Sequence, residues 1–185
     1  MRPQKVNDEE LLISLSKIFR TQGYEGTSLS DLSDITGLKK ASLYHRFPNG
    51  KKEMAESVLK YTGKWVSDNI FNSLDKEGDA AEDRLRNALF QIRKLYNGGL
   101  DSCMFRALSM QNGMDLFRHH ITNGMNEWLE AFKNFGLSIQ LSEHLAEEKA
   151  KQTLIDIQGS LVVSKGLQDT TIFENTLEKI ENRYI

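Results

Sequence analysis

Hydrophobic positions along this chain recur at three- and four-residue steps, the spacing that lines one face of a helix. No stretch sustains the two-residue alternation of a strand. Leu11, Leu12, Leu15, Ile18 and Phe19 predict a helix over 8–22, with Asn7 placed to cap it and Glu10 as the reciprocal partner. Leu29, Leu32 and Ile35 predict a short helix over 29–36, capped by Ser28 with Asp31 returning the bond. Leu43 and Phe47 mark the inward face of another short helix, over 40–46. A fourth helix is expected to start near Lys51, after Pro48-Asn49-Gly50, and to run to Leu74. The remaining pattern predicts helices over 79–97, 102–112, 114–135, 141–165 and 169–183. The chain therefore reads as all-α, with about nine helices.

The punctuation agrees with long helices. Only Pro3 and Pro48 occur, and an interior proline costs a helix ~3 kcal/mol. Glycines such as Gly37, Gly50, Gly78, Gly98-Gly99 and Gly113 fall between the periodic segments instead. No internal repeat or low-complexity tract is visible.

The stretch Thr27 to Lys51 carries the most information. Its two short helices are joined through Gly37-Leu38, and glycine supplies the backbone freedom of a tight turn. Leu29, Leu32, Ile35, Leu38, Leu43 and Phe47 are spaced to converge on one small core. The outward face of the second short helix carries Lys40, Ser42, Tyr44, His45 and Arg46. Donors on a helix that starts just after a turn are what a recognition helix offers to a major groove. Each residue also has a plainer reading. Lys39-Lys40 could be a solvated pair, His45 a surface histidine, and Tyr44 a core aromatic, although Leu43 and Phe47 already take the inward positions.

Phe19, Gly23-Tyr24, Thr27-Ser28, Asp31-Leu32, Gly37-Leu38, Leu43-Tyr44, Phe47-Pro48, Lys51 and Glu53 together resemble the TetR/AcrR family of one-component bacterial transcription regulators. The resemblance covers about residues 4–60 and weakens beyond. The extra glycine in Pro48-Asn49-Gly50-Lys51 looks like the LmrA/YxaF-like branch. The resemblance implies a helix-turn-helix DNA-binding domain over 1–50 and a helical effector-binding and dimerisation domain over 51–185. It implies a homodimer on a palindromic operator in double-stranded DNA, and a repressor released by a small, largely apolar effector.

Carried over by motif position, Ser28, Ser30, Lys40, Ala41, Ser42, Tyr44, His45 and Lys51 fall where family members touch DNA. Ser28 and Lys51, at helix starts, are expected to hold phosphates, and Tyr44 to offer its hydroxyl to the backbone. Lys40, Ser42 and His45 are better placed for base edges, and Ala41 allows close approach. Two departures stand out. Lys39 replaces the usual Ser or Thr, so the recognition helix loses its side-chain cap, and Ser30 stands where many members have Arg.

Beyond residue 52, Met114, Phe117, Ile121, Met125, Trp128 and Phe132 follow one another at helical steps. They read as ordinary core or as a pocket wall, since Met and aromatic side chains adapt to apolar ligands. The candidate effector-pocket residues are Trp65, Phe90, Met104, Phe105, Met110, Phe117, Ile121 and Trp128. The last two helices occupy the place of the family's dimerisation pair. Ile155, Gly159, Leu161, Val162, Ile172, Leu177 and Ile180 are the candidate interface residues.

Composition narrows the alternatives. Charged residues are 27% and hydrophobic residues 39%, a globular balance. No apolar run exceeds three residues, far short of the ~20 a membrane span needs. The polar stretch Met1 to Asn7 lacks a signal-peptide core, so a cytoplasmic location is expected. The lone Cys103 excludes an intramolecular disulfide and a Cys-cluster zinc site; it reads as an oxidant sensor or a buried small hydrophobe. His119, His120, His144 and Glu147-Glu148 do not assemble a ligand set, so no metal is expected. No Ser-His-Asp set, carboxylate pair or phosphate loop is legible, so neither an enzyme nor a cofactor is expected. An all-α carrier or enzyme with a vestigial head remains the alternative, and a protein-interaction module a third; the basic Lys40, His45 and Arg46 count against the vestigial head. The net charge of −2 argues against a protein that coats DNA, but it conceals an asymmetry. Residues 1–52 carry +3 and residues 53–185 carry −5.

Overall fold

The computed structural model describes residues 7–185, so all but Asn7 of the polar N-terminal stretch lies outside the described residues. Among the described residues there is no strand. The helices are α1 (Asp8–Gly26), α2 (Leu29–Thr36), α3 (Lys40–Arg46), α4 (51–74), α5 (Ala81–Leu95), α6 (Met104–Leu108), α7 (Gly113–Ser138), α8 (Glu143–Leu167) and α9 (Thr171–Tyr184). A short 3₁₀ turn, Asn97–Gly99, follows α5.

Local chemistry accounts for the boundaries. Asn7 caps α1 by accepting from the Glu9 N–H at 3.3 Å, one residue short of the Glu10 position expected for a capping box. The helix continues past the expected end to Gly26, across a break at Gly23. At α2 the expected box is complete: the Asp31 N–H donates to Ser28 Oγ at 3.2 Å and the Ser28 N–H to Asp31 Oδ2 at 2.8 Å. The helix expected over 102–112 contracts to α6, because the chain turns over 109–112 with Gln111 at φ +53°. Within α4, residues Ser67–Phe71 form a π turn, whose closing bond runs from the Asn72 N–H to the Ser67 carbonyl. The Asn69 side chain donates to the Trp65 carbonyl at 2.8 Å beside it.

The chain packs as two compact units. The first comprises residues up to Thr62 together with Met104–Ile121, so it reaches well beyond residue 50. Leu11, Leu15, Phe19, Leu32, Leu43, Met54, Val58 and Phe117 are buried in it. The Tyr24 ring meets Phe117 edge-on, with centroids 5.0 Å apart. One expected core residue of this unit is displaced: Ile35 is 37% exposed. The inward stripe of α2 is Leu32 and Thr36, four residues apart, and Ile35 lies one residue off it.

The second unit comprises Gly63–Cys103 and Thr122–Ile185. Its core includes Ile70, Leu74, Leu85, Ile92, Phe132, Phe135, Phe173 and Ile180. Phe71 packs edge-on against Trp128 at 5.6 Å, and Tyr184 packs against Phe132 and Phe135. Helices α8 and α9 pair closely, with Arg183 bonded to Asp156 and Thr153. Burial pushes the Tyr184 hydroxyl above its ordinary range. Lys133 bridges Glu143 and Glu147 at 3.1 and 2.8 Å, which raises the ammonium and lowers the Glu147 carboxyl.

Candidate nucleic-acid interface

The turn between α2 and α3 is built from backbone freedom and short side chains. Gly37 closes α2 at φ +65°, a left-handed conformation that costs glycine little. The Ser33 hydroxyl donates to the Leu38 carbonyl at 2.5 Å, and the Thr36 hydroxyl donates to the Leu32 carbonyl at 2.6 Å. The Thr36 hydroxyl also accepts the Leu38 N–H at 3.4 Å, so two side-chain hydroxyls brace the turn. Lys39 follows as the N-terminal cap residue of α3 and makes no side-chain cap bond, as its substitution for Ser or Thr implied.

Burial then sorts α3 into two faces. Leu43 and Phe47 face the core, while Lys40, Ala41, Ser42, Tyr44 and His45 are exposed. Tyr44 is 45% exposed, so it is not a core aromatic. Arg46 differs from its neighbours. Its guanidinium pairs with Asp8 at the start of α1, at 2.9 Å, and is committed inside the unit rather than simply presented to solvent.

At the start of α2, Ser28 and Ser30 are both exposed. The Ser28 hydroxyl already accepts the Asp31 N–H, and the bonds from Ser28 hold the Asp31 carboxyl below its usual range. Lys51 is the larger surprise. Its ammonium donates to the Tyr24 carbonyl at 2.9 Å and to the Thr27 carbonyl at 3.0 Å, and lies 4.3 Å from the centre of the Tyr24 ring. The last turn of α1 carries no basic residue of its own, and Lys51 supplies the cation that the negative end of a helix favours. The sequence pattern could not place Lys51 beside Tyr24, which lies far from it along the chain.

The candidate pocket residues divide between the units. Met104, Phe105, Met110, Phe117 and Ile121 lie in the first, and Trp65, Phe90 and Trp128 in the second. Met104, Phe117, Ile121 and Trp128 are buried, Trp65 and Phe105 half-buried, and Met110 and Phe90 exposed. Phe90 borders a surface cleft of about 270 Å³ with Arg86, Arg93, Leu177 and Glu181.

The candidate interface residues separate as well. Leu161, Leu177 and Ile180 are buried within their own unit, where α8 and α9 pack together, and Ile172 is half-buried. Leu161, Leu177 and Ile180 are part of the chain's own core. Ile155 (61% exposed), Gly159, Val162 and Gly166 form an outward stripe on α8 at steps of four, three and four. Nothing lies within 4 Å of a Cβ added at Gly159 or Gly166.

Among the described residues, no group of three His, Cys, Asp or Glu could hold a metal ion, and Cys103 is buried. None of the described helices is long and apolar enough to cross a membrane.

Comparison with known proteins points in one direction. Residues 15–58 match the family described as "Bacterial regulatory proteins, tetR family". The chain is 31% identical over 176 residues to the HTH-type transcriptional regulator LmrA of Bacillus subtilis, covering 88% of each. It is 43% identical over 74 residues to the HTH-type transcriptional regulator YxaF of the same organism, a match spanning 40% of this chain and 39% of that relative. A TetR transcriptional regulator from Legionella pneumophila shares the fold, with a TM-score of 0.85 and 17% identity over the whole of both chains.

Proposed function

Because the chain belongs to the tetR family of bacterial transcriptional regulators, we propose that it is a repressor that binds a palindromic operator as a homodimer and is released by a small, largely apolar effector. The observation that carries this reading is the sorting of α3. Leu43 and the Phe47 that follows the helix face inward, while Lys40, Ala41, Ser42, Tyr44 and His45 stand together in solvent on a helix of seven residues. That is the shape and chemistry of a recognition helix.

In this reading Lys40, Ser42 and His45 meet base edges, and Ala41 lets the helix approach them. Ser28, Ser30 and the Tyr44 hydroxyl meet the phosphate backbone. Lys51 contributes chiefly by holding the end of α1 against the start of α4, with its remaining N–H available to a phosphate. Pairing of two copies through the Ile155–Gly159–Val162–Gly166 stripe is supported by its apolar character and by the open space at both glycines. Two heads spaced ~34–36 Å apart then meet successive major grooves. An effector that binds a conformation with a different spacing weakens the complex. A hundredfold loss of DNA affinity needs ~2.7 kcal/mol of such differential binding.

A gel shift with the DNA upstream of the protein's own gene, against a scrambled duplex, tests the reading. Preferential binding of the upstream duplex is expected, together with derepression of a reporter when the gene is deleted. Equal affinity for both duplexes at moderate salt would sink it.

A further inference from the structure

We propose that Gly50 is a positioning residue for DNA binding: by leaving empty the space a side chain would fill, it seats the Tyr44 ring and fixes where the phenol hydroxyl stands. The inference rests on the regulator reading above and assigns that site a residue that touches no DNA itself.

Gly50 closes the turn between α3 and α4, and it is buried although its neighbours Pro48 and Asn49 are exposed. The turn is locked on both sides. The Gly50 N–H donates to the Phe47 carbonyl at 2.8 Å, and the Gly50 carbonyl accepts the Met54 N–H at 3.1 Å. The Asn49 N–H donates to the Glu53 carboxylate at 2.8 Å. Gly50 is thus a fixed surface. A Cβ built on it would lie 3.2 Å from Tyr44 Cε1, 3.8 Å from its hydroxyl oxygen and 3.9 Å from Cζ. The hydroxyl end of the ring therefore rests on the bare backbone of Gly50, and Tyr44 as a whole is 45% exposed.

A half-exposed tyrosine on a helix surface would ordinarily exchange between rotamers within nanoseconds. Here one edge is held by the turn, so less side-chain freedom remains to be lost when the hydroxyl meets its partner. Gly50 meets two separate demands. Its φ of +68° favours glycine for backbone reasons, and at 3.2 Å a Cβ would crowd the Tyr44 ring and push it aside by a few tenths of an ångström. The two can be separated, because asparagine tolerates the left-handed region but still brings a Cβ.

The experiment measures affinity for a labelled duplex carrying the DNA upstream of the gene. The proteins are wild type, Gly50→Asn, Tyr44→Phe, Tyr44→Ala and the double variant Tyr44→Ala/Gly50→Asn, each with a thermal melt recorded without DNA. Gly50→Asn is expected to weaken binding roughly tenfold, the size of one lost hydrogen bond to a charged group. In the Tyr44→Ala background the same substitution is expected to change affinity no further. Wild-type affinity in Gly50→Asn, or an equal loss in both backgrounds, would overturn the proposal, because Gly50 would then serve the turn alone. Should Gly50→Asn fail to fold, the wild-type protein decides the matter: an NOE from the Tyr44 Hε protons to the Gly50 Hα protons that persists in the DNA complex supports the seat, and its loss on binding overturns it. Failure of the wild type to prefer the upstream duplex defeats the regulator reading and this inference together. Unchanged affinity in both Tyr44→Phe and Tyr44→Ala defeats only the inference.

Discussion

Lys51 shows how a side chain's neighbours decide its work. An ammonium at the start of a helix, judged by position alone, is free to hold a phosphate. In the folded chain it closes the end of α1 through the Tyr24 and Thr27 carbonyls. Removing it takes the ammonium from two carbonyls and leaves Tyr24's with only the 3.3 Å bond from the Thr27 N–H, so Lys51→Met should lower stability by about 1 kcal/mol in urea unfolding without DNA. Stability within error of wild type would return Lys51 to a purely ligand-facing role. Asp31 supports the same unit through pH. Its folded pKa is depressed by the bonds from Ser28, so its contribution is present above the ordinary carboxyl value of ~3.9 and is lost as pH falls through the folded value. The melting temperatures of wild type and Asp31→Asn should therefore differ at pH 6 and converge towards pH 3. A gap that stays constant across that range would contradict the assignment.

Two helices carry glycines that their own chain does not need. Gly63 lies inside α4, where nothing stands within 4 Å of an added Cβ. Mid-helix glycine costs roughly 0.5–1 kcal/mol relative to alanine, so Gly63→Ala should raise stability by about that amount in urea titration. With the π turn at Ser67–Phe71, it gives α4 two points at which the regular ladder is weak. On α8, Gly159 and Gly166 flank Val162 on the outward stripe, whose neighbour Leu167 is 69% exposed. Gly159→Leu has room within the chain and should leave the isolated fold intact, while blocking close approach of another helix. Sedimentation should therefore show a shift from dimer to monomer with the melt preserved. A dimer that persists at micromolar concentration would exclude this stripe as the pairing surface.

At the scale of the whole molecule, charge is distributed to suit a small docking head. Residues 1–52 carry +3 against −5 for the rest. Yet Lys51 is engaged internally and Arg46 pairs with Asp8, which leaves Lys39 and Lys40 as exposed cations at the recognition helix. Two cations per protomer in a dimer neutralise about four phosphates. The slope of log affinity against log salt should then be about −4, measured by filter binding between 50 and 200 mM salt. A slope near −10 would mean that cations outside α3 and its cap bear on the backbone. Lys40→Ala should alter operator preference, because its ammonium is assigned to a base edge.

The linear pattern alone determined the helical class, most helix boundaries and the two faces of α3, because each depends on spacing within a few residues. The Ser28–Asp31 box and the uncapped start at Lys39 were legible for the same reason. Tertiary structure decided what spacing cannot carry. It set Ile35 at the rim and turned Leu161, Leu177 and Ile180 into the chain's own core. It joined Met104–Ile121 to the first packing unit, committed Lys51 to α1, and seated Tyr44 on Gly50. Periodicity reports which face of a helix is apolar; only packing between distant segments decides whether that face meets its own chain, solvent or a second molecule.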